Sequence, residues 1–349
     1  MKTIFVIGTA GIPACYGGFE SLVENLVNNA SDEIKYSVFC SSYNYTEKLD
    51  SCNGANLVYL PIKANGMQSV PYDIWSLIKC LKSRPDIVLI LGVSGCIFLP
   101  IFSKLFSGKI ITNIDGMEWR RGKWNKLAKK FLKISESMAV KYSDSIVTDN
   151  KAIYDYVRKE YGVDSAVIAY GGDHAIRNIE IDRIEKEYAL SICRIEPENN
   201  IEMILKAFSR TDEHLKFVGN WGSNEYGQRL KKKYSTYDNI DIIEPIYDLD
   251  VLYSLRRNCS VYIHGHSAGG TNPSLVEMMH FDVPIIAYDC DFNRHSTHDH
   301  AIYFSNSEDL RKHLAGRDES WILSGRKLLS VARENYTWSQ INEQYENLY

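Results

Sequence analysis

Apolar runs of strand length alternate with helix-period stretches along the whole chain, and the alternation runs twice. KTIFVIG leads into FESLVENLVNN, in which Phe19, Leu22, Val23, Leu26 and Val27 share one helical face. KYSVFC, NLVYLPI, DIVLIL, KIITNID, SIVTD and SAVIAY continue the strand series. After the charged stretch RNIEIDRIEKE (177–187) it restarts with YALSICRI, LKFVGN, NIDIIEP, CSVYIHG and VPIIAYD. Strands separated by helices predict doubly wound parallel sheets. The restart predicts two such domains, 1–170 and 188–335, with a final helix over 336–349. Ligands of open α/β sheets bind beyond the carboxyl ends of the strands, so two facing domains would form a cleft with the motifs on its loops.

Composition narrows the class. The chain has 349 residues, 45% hydrophobic and 24% charged, enough to bury two full cores. A net charge of -4 gives a general nucleic-acid role no support. Eight cysteines without a CxxC pair fit a reducing compartment. The start, MKTIFVIG, reads as a strand rather than a leader, which predicts a cytoplasmic protein. IVLILGVSGCIFLPIFS (87–103) is uncharged, but its glycines and Pro100 favour a buried strand, a turn and a short helix over a membrane span.

Three constellations carry the chemistry. GTAGIPACYGGFES (8–21) follows the first strand and opens a helix; Gly17 and Gly18 make it a candidate anion- or sugar-binding loop. Its spacing is not GxGxxG, which counts against a dinucleotide dehydrogenase. SICRIEPENN (191–200) puts Arg194 at the end of the second domain's first strand, where a guanidinium suits a diphosphate. VYIHGHSAGGTNPSLVEMM (261–279) starts a helix with Asn272 as cap and Pro273 at its first position. Gly269 and Gly270 let phosphate oxygens or sugar hydroxyls reach main-chain N–H groups over 270–274, including those of Thr271 and Ser274. Glu277, one turn on, can accept hydrogen bonds from ribose hydroxyls.

Together these residues resemble the retaining glycosyltransferases of family four, which have the GT-B fold of two Rossmann-like parallel-sheet domains facing a cleft. More narrowly, GIPACYGGFES, NIDGMEWRRGKW, CRIEPENN, GHSAGGTNPSLVEMM and YDCDFNRH look like the marks of bacterial polysaccharide rhamnosyltransferases in that family. The resemblance implies Arg194 on the diphosphate, Glu277 on the ribose, and Asp115, with Glu118 nearby, at the transferred sugar or the acceptor hydroxyl. It also implies that the last helix returns to the first domain. Two departures stand out. Asn199 occupies the position of a second basic residue, and Gly269 that of a second glutamate. His266 and Arg294 are further candidates for phosphate or sugar contact.

The implied reaction moves L-rhamnose from dTDP-L-rhamnose to a lipid-linked saccharide in capsule or O-antigen assembly, without cofactor or metal. The alternatives are a UDP-sugar donor, a sugar-nucleotide epimerase, or a non-catalytic sugar-nucleotide-binding module. The triplets Asp248–Asp250 and Asp289–Asp291 and the histidines 295, 298 and 300 are weak metal signals; Asp248 reads better as a helix cap. Finally, WRRGKWNKLAKKFLK (119–133) holds seven basic residues and no acid. With Trp124, Leu127, Phe131 and Ile134 on one helical side, 119–134 is a candidate for an anionic membrane surface, on the inner face of the cell membrane.

Overall fold

In the first unit, the strand runs anticipated above become β1 (Lys2–Ile7), β2 (Ile34–Ser41), β4 (Ala55–Leu60), β5 (Ile87–Leu91), β6 (Lys109–Ile114), β7 (Ser145–Thr148) and β8 (Ala166–Val167). A two-residue strand, β3 (Ser51–Cys52), pairs antiparallel on β4 and was not foreseen. The order is β3-β4-β2-β1-β5-β6-β7-β8, and every pairing but that of β3 is parallel. The central strand β5 is fully buried, as its unbroken apolar sequence requires. Between strands lie α1 (Gly18–Asn28), α2 (Ser69–Ser83), α3 (Leu99–Leu105), α4 (Lys126–Tyr142) and α5 (Lys151–Tyr161). The chain folds as two compact units, and this first one comprises Met1–Ala169 with Trp338–Tyr349. The computed structural model describes residues 1–15, 17–114, 116–120, 124–180 and 188–349.

The uncharged 87–103 stretch is β5, a 3-10 turn and then α3. Among the described residues no helix is long and apolar enough to cross a membrane. The turn after β1 is tight: Gly8 has φ +88°, and a Cβ there would stand 2.0 Å from the Leu91 carbonyl oxygen.

The second unit, Tyr170–Thr337, has six parallel strands: β9 (Tyr188–Ile192), β10 (His214–Val218), β11 (Ile240–Ile243), β12 (Val261–His264), β13 (Ile285–Tyr288) and β14 (Ile302–Phe304). Their order, β11-β10-β9-β12-β13-β14, is the doubly wound Rossmann order, and it reverses between β9 and β12. The helices are α6 (Ile201–Phe208), α7 (Glu225–Tyr234), α8 (Leu249–Asn258), α9 (Pro273–Met279), α10 (Asp291–Ser296), α11 (Ser307–Ala315) and α12 (Glu319–Asn335). Ile204, Leu205 and Phe208 of α6 pack with Phe217, Ile263 and Trp221 in a core of fully buried side chains. Asp248 caps α8 through the amides of Asp250 and Val251.

The last helix, α13 (Trp338–Glu346), belongs to the first unit and packs on α1. Asn342 donates to the Asn29 carbonyl at 2.7 Å, and Asn113 donates to the Tyr345 hydroxyl at 2.8 Å. Buried Trp338, Ile341 and Tyr345 form its apolar face.

Candidate functional site

The loops that leave β9 and β12 diverge at the point where the strand order of the second unit reverses. Arg194 leaves the end of β9 with an exposed guanidinium, and the Glu196 carboxylate stands 3.9 Å away. Asn199 is buried beneath it and uses both ends of its amide. Its Nδ2 donates to the Arg194 carbonyl at 2.7 Å, and its Oδ1 faces His266 Nδ1 at 2.8 Å. Because the Nδ2 end is committed to a carbonyl, Oδ1 can only accept, so His266 carries its proton on Nδ1. The Asn200 side chain and Glu198 carbonyl bond Gly265 and Ser267 in the same way, stitching the two loops together. Asn199 therefore braces the two loops, with its polar atoms pointing inward.

The β12 loop enters α9 as its sequence suggested. Asn272 Oδ1 accepts from the Ser274 amide at 3.0 Å and the Ser274 hydroxyl at 2.8 Å, with Pro273 at the first helical position. This corrects one expectation: the cap occupies the Ser274 amide and Pro273 has no N–H, so neither of these two positions offers an amide to a ligand. Gly269 takes φ +128°, a backbone state suited to glycine. Thr271 is buried, 3.5 Å from the Ser296 hydroxyl. Tyr262 donates to the Ile192 carbonyl at the end of β9 and reaches Ser274 Oγ at 3.3 Å, joining the Arg194 side of the site to the helix start. Buried Asn293 on α10, a residue the sequence analysis passed over inside YDCDFNRH, donates to the His266 carbonyl at 2.8 Å.

Glu277 has two partners that periodicity could not reveal. Arg256 of α8 donates to its Oε2, and His174 Nε2 lies 3.3 Å from Oε1. Burial pushes the Glu277 pKa up, but Arg256 and then His174 overcome it and hold the carboxyl below its ordinary value. Glu277 thus stays ionised and ready to accept hydroxyl hydrogen bonds. The segment around His174 sits close by necessity. A Cβ on Gly172 would stand 2.6 Å from the Val276 carbonyl group and 2.7 Å from the Glu277 amide nitrogen, so only a glycine lets the two backbones meet.

Arg294 is placed differently from the expectation. It makes a two-pronged contact with Asp289 at 2.6 and 3.0 Å and a third bond to Asp299 at 2.9 Å, and it stacks on Tyr303. Two carboxylates more than neutralise one guanidinium, so nothing is left to attract a phosphate. The same contacts account for the Asp289 triplet as an ion pair. Among the described residues no group of three His, Cys, Asp or Glu side chains stands close enough to hold a metal ion.

In the first unit the glycine loop holds its own anion. Glu20 is buried and accepts from the Ala10 amide at 2.6 Å, the Thr9 hydroxyl at 2.9 Å and the Gly17 amide at 2.9 Å. The expectation that Gly17 and Gly18 receive an external anion is corrected for the Gly17 amide, which the Glu20 carboxylate already fills. Glu118 lies in a 3-10 turn, where the Trp124 indole donates to it at 2.9 Å. Trp119 donates in turn to buried Glu136 at 3.1 Å. Asp115 lies outside the described residues.

Residues 174–327 match the family model described as Glycosyl transferases group 1. Residues 1–173 match the model described as Domain of unknown function (DUF1972). No curated protein matches the chain. Among solved structures, sucrose-phosphate synthase (tll1590) from Thermosynechococcus elongatus is similar over 100% of this chain and 98% of its own, at 13% identity and TM-score 0.83. Anabaena Alr3699/HepE, solved with UDP and glucose, is similar over 100% and 99%, at 12% identity and TM-score 0.75. S. aureus MnaA, solved with UDP, is similar over 100% and 98%, at 16% identity and TM-score 0.65. Identities this low speak for the fold alone: an α/β chain of two Rossmann-like parallel-sheet units, as in GT-B glycosyltransferases.

Proposed function

We propose that this glycosyltransferase domain works in a retaining transfer of L-rhamnose from dTDP-L-rhamnose to a lipid-linked saccharide, in capsule or O-antigen assembly. The observation that carries the reading is the pairing of an exposed Arg194, at the β9–β12 reversal, with a carboxylate at Glu277 that is held ionised. The guanidinium stabilises the charge that develops on the departing diphosphate, an electrostatic role that dominates many transfer reactions. Asn199 fixes the backbone from which Arg194 projects. Gly269 and Gly270 admit the diphosphate to main-chain amides.

Glu277 accepts the ribose 3′-hydroxyl. In a 2′-deoxy nucleotide that is its one ribose contact, and a carboxylate already shared with Arg256 and His174 suits a single added donor. In the transfer itself, the bond from the sugar's anomeric carbon to the phosphate oxygen breaks. The bond to the acceptor oxygen forms on the same face, and the acceptor proton passes to the leaving diphosphate. No side-chain nucleophile takes part. Asp115 and Glu118 act on the acceptor side, and the basic 119–134 segment holds the enzyme at the anionic inner face of the cell membrane, where its acceptor resides.

A UDP-sugar donor is the second reading, favoured by the UDP bound in the HepE and MnaA structures. Transfer assays with dTDP-rhamnose, UDP-glucose and UDP-N-acetylglucosamine, run with a lipid-linked acceptor, separate the two. Rhamnose transfer with retention supports the proposal. Transfer only from a UDP-sugar removes the rhamnose assignment, and donor interconversion without acceptor removes transfer altogether.

A further inference from the structure

Helix α4 covers the core with a face other than its apolar stripe. Its buried residues are Leu132, Ser135, Glu136, Ala139 and Val140. The stripe that the sequence suggested for one side looks outward, with Leu127 80% and Ile134 41% exposed. Two neighbouring helices do the same. On α2, Trp75 and Ile78 are 42% and 48% exposed, and on α3, Ile101 and Leu105 are 56% and 66% exposed. Of the nineteen large hydrophobic side chains exposed among the described residues, six lie on these three helices. Isolated exposed apolar residues are ordinary, but a concentration of this kind on one layer marks an interaction surface.

The three helices form one layer. They connect β4 to β5, β5 to β6 and β6 to β7, each stepping toward the β8 edge of the sheet. Crossovers of one hand that step in one direction lie on one face. Accordingly, α3 packs against both α2 and α4.

Charge then selects the partner. The three helices carry eight lysines and no arginine. Their two acids, Asp73 and Glu136, are both buried, at 2% and 1% exposure. Every charge these helices show to solvent is therefore positive, on a chain whose net charge is -4. Among the described residues only Lys133 is tied to carboxylates, those of Glu136 and Glu160. A protein partner would have to match this face with acids across its full width. An anionic bilayer supplies negative headgroups for the lysines and acyl chains for the apolar side chains at once.

We propose that the α2–α3–α4 layer as a whole, anchored by Trp75, Ile101 and Leu105 as well as by α4, is the surface on which the protein lies on an anionic membrane. This deepens the membrane part of the proposed function, which invoked residues 119–134 alone. Tryptophan suits the headgroup level, and lysine stems lie along the apolar surface with their ammonium groups among the phosphates.

Co-sedimentation of the full chain with vesicles tests it. The parent protein should pellet with vesicles of equal parts phosphatidylcholine and phosphatidylglycerol, not with phosphatidylcholine alone. Trp75→Ser with Ile101→Ser should lower the partition coefficient at least ten-fold, and Lys82→Gln or Lys104→Gln should each lower it about five-fold. All four positions are exposed, so thermal melts should match the parent. If the α2 and α3 variants bind as the parent does, while Lys126→Glu with Lys130→Glu abolishes binding, the layer is not the surface and α4 acts alone. Failure of the parent to bind anionic vesicles overturns the proposal outright. Release of dTDP from the donor with a soluble acceptor fragment reports transferase chemistry separately. If that turnover persists without membrane binding, only the docking proposal falls.

Discussion

Arg256, near the end of α8, and Glu277, on α9, form an ion pair whose side chains are only 8% and 16% exposed. The residue proposed to hold the ribose is thus itself held by a charge that must be paired. Removing one member leaves the other uncompensated in a poorly solvated place. Arg256→Ala should cost on the order of 3 kcal/mol in urea unfolding and weaken dTDP binding in calorimetry. Adding Glu277→Gln to that variant should restore part of the stability but not the affinity. An Arg256→Ala protein with unchanged stability would mean that the pair is not closed in solution.

Gly172→Ala tests the close approach of the 170–174 segment to α9. Its Cβ meets backbone atoms of Val276 and Glu277, which cannot rotate away. The segment or the helix must move, at a cost of about 1–3 kcal/mol, and nucleotide affinity should fall with the displacement of Glu277. Thermal melts with and without dTDP read both effects.

Arg194→Ala should lower transfer by on the order of a hundred- to a thousand-fold, the loss expected for one donor on a developing negative charge. The guanidinium is exposed and the Glu196 carboxylate stands 3.9 Å away, so stability should be nearly unchanged. Turnover close to that of the parent would take Arg194 out of the mechanism.

Arg294→Gln should behave in the opposite way. Its partners are Asp289 and Asp299, so dTDP affinity should stay within about a factor of two. A large loss of affinity in titration calorimetry would return Arg294 to the diphosphate site.

Asp73 gives a pH dependence. Burial raises its pKa well above the ordinary carboxylate value, against a smaller opposing effect of the hydrogen bond from the Gly95 amide. A carboxyl raised in this way is stable in the fold while protonated, and its contribution is lost as pH rises above the unfolded value of about 3.9. Asp73→Asn cannot ionise. It should therefore gain on the parent as pH rises above that unfolded value in urea unfolding. Equal pH slopes for the two proteins would show that Asp73 is solvated.

Much of the fold was legible because it depends on local patterning. Unbroken apolar runs such as IVLIL make strands buried on both faces, and the helical stretches between them force parallel pairing. β14 was missed: IYF is three residues long and carries no turn signal of its own. Asn272 and Asp248 could be read as caps because a cap acts on amides two or three residues ahead. The stripe of α4 was legible as one side of a helix, but periodicity does not show which side the sheet covers; packing decided that. Buried Glu136, which accepts from Trp119, Tyr156 and Tyr161, sits on the covered side.

What the sequence alone determined is the set of groups that act on near neighbours: the order of strands and helices, the helix caps, and the bare loops after β9 and β12. Tertiary structure decided which charges are available. It paired Glu277 with Arg256 and His174, filled the first glycine loop with Glu20, and spent Arg294 on two aspartates. The physical reason is range. A cap or a glycine works through backbone atoms a few residues away, whereas an ion pair depends on distances between side chains that only the packed sheet and helices bring together.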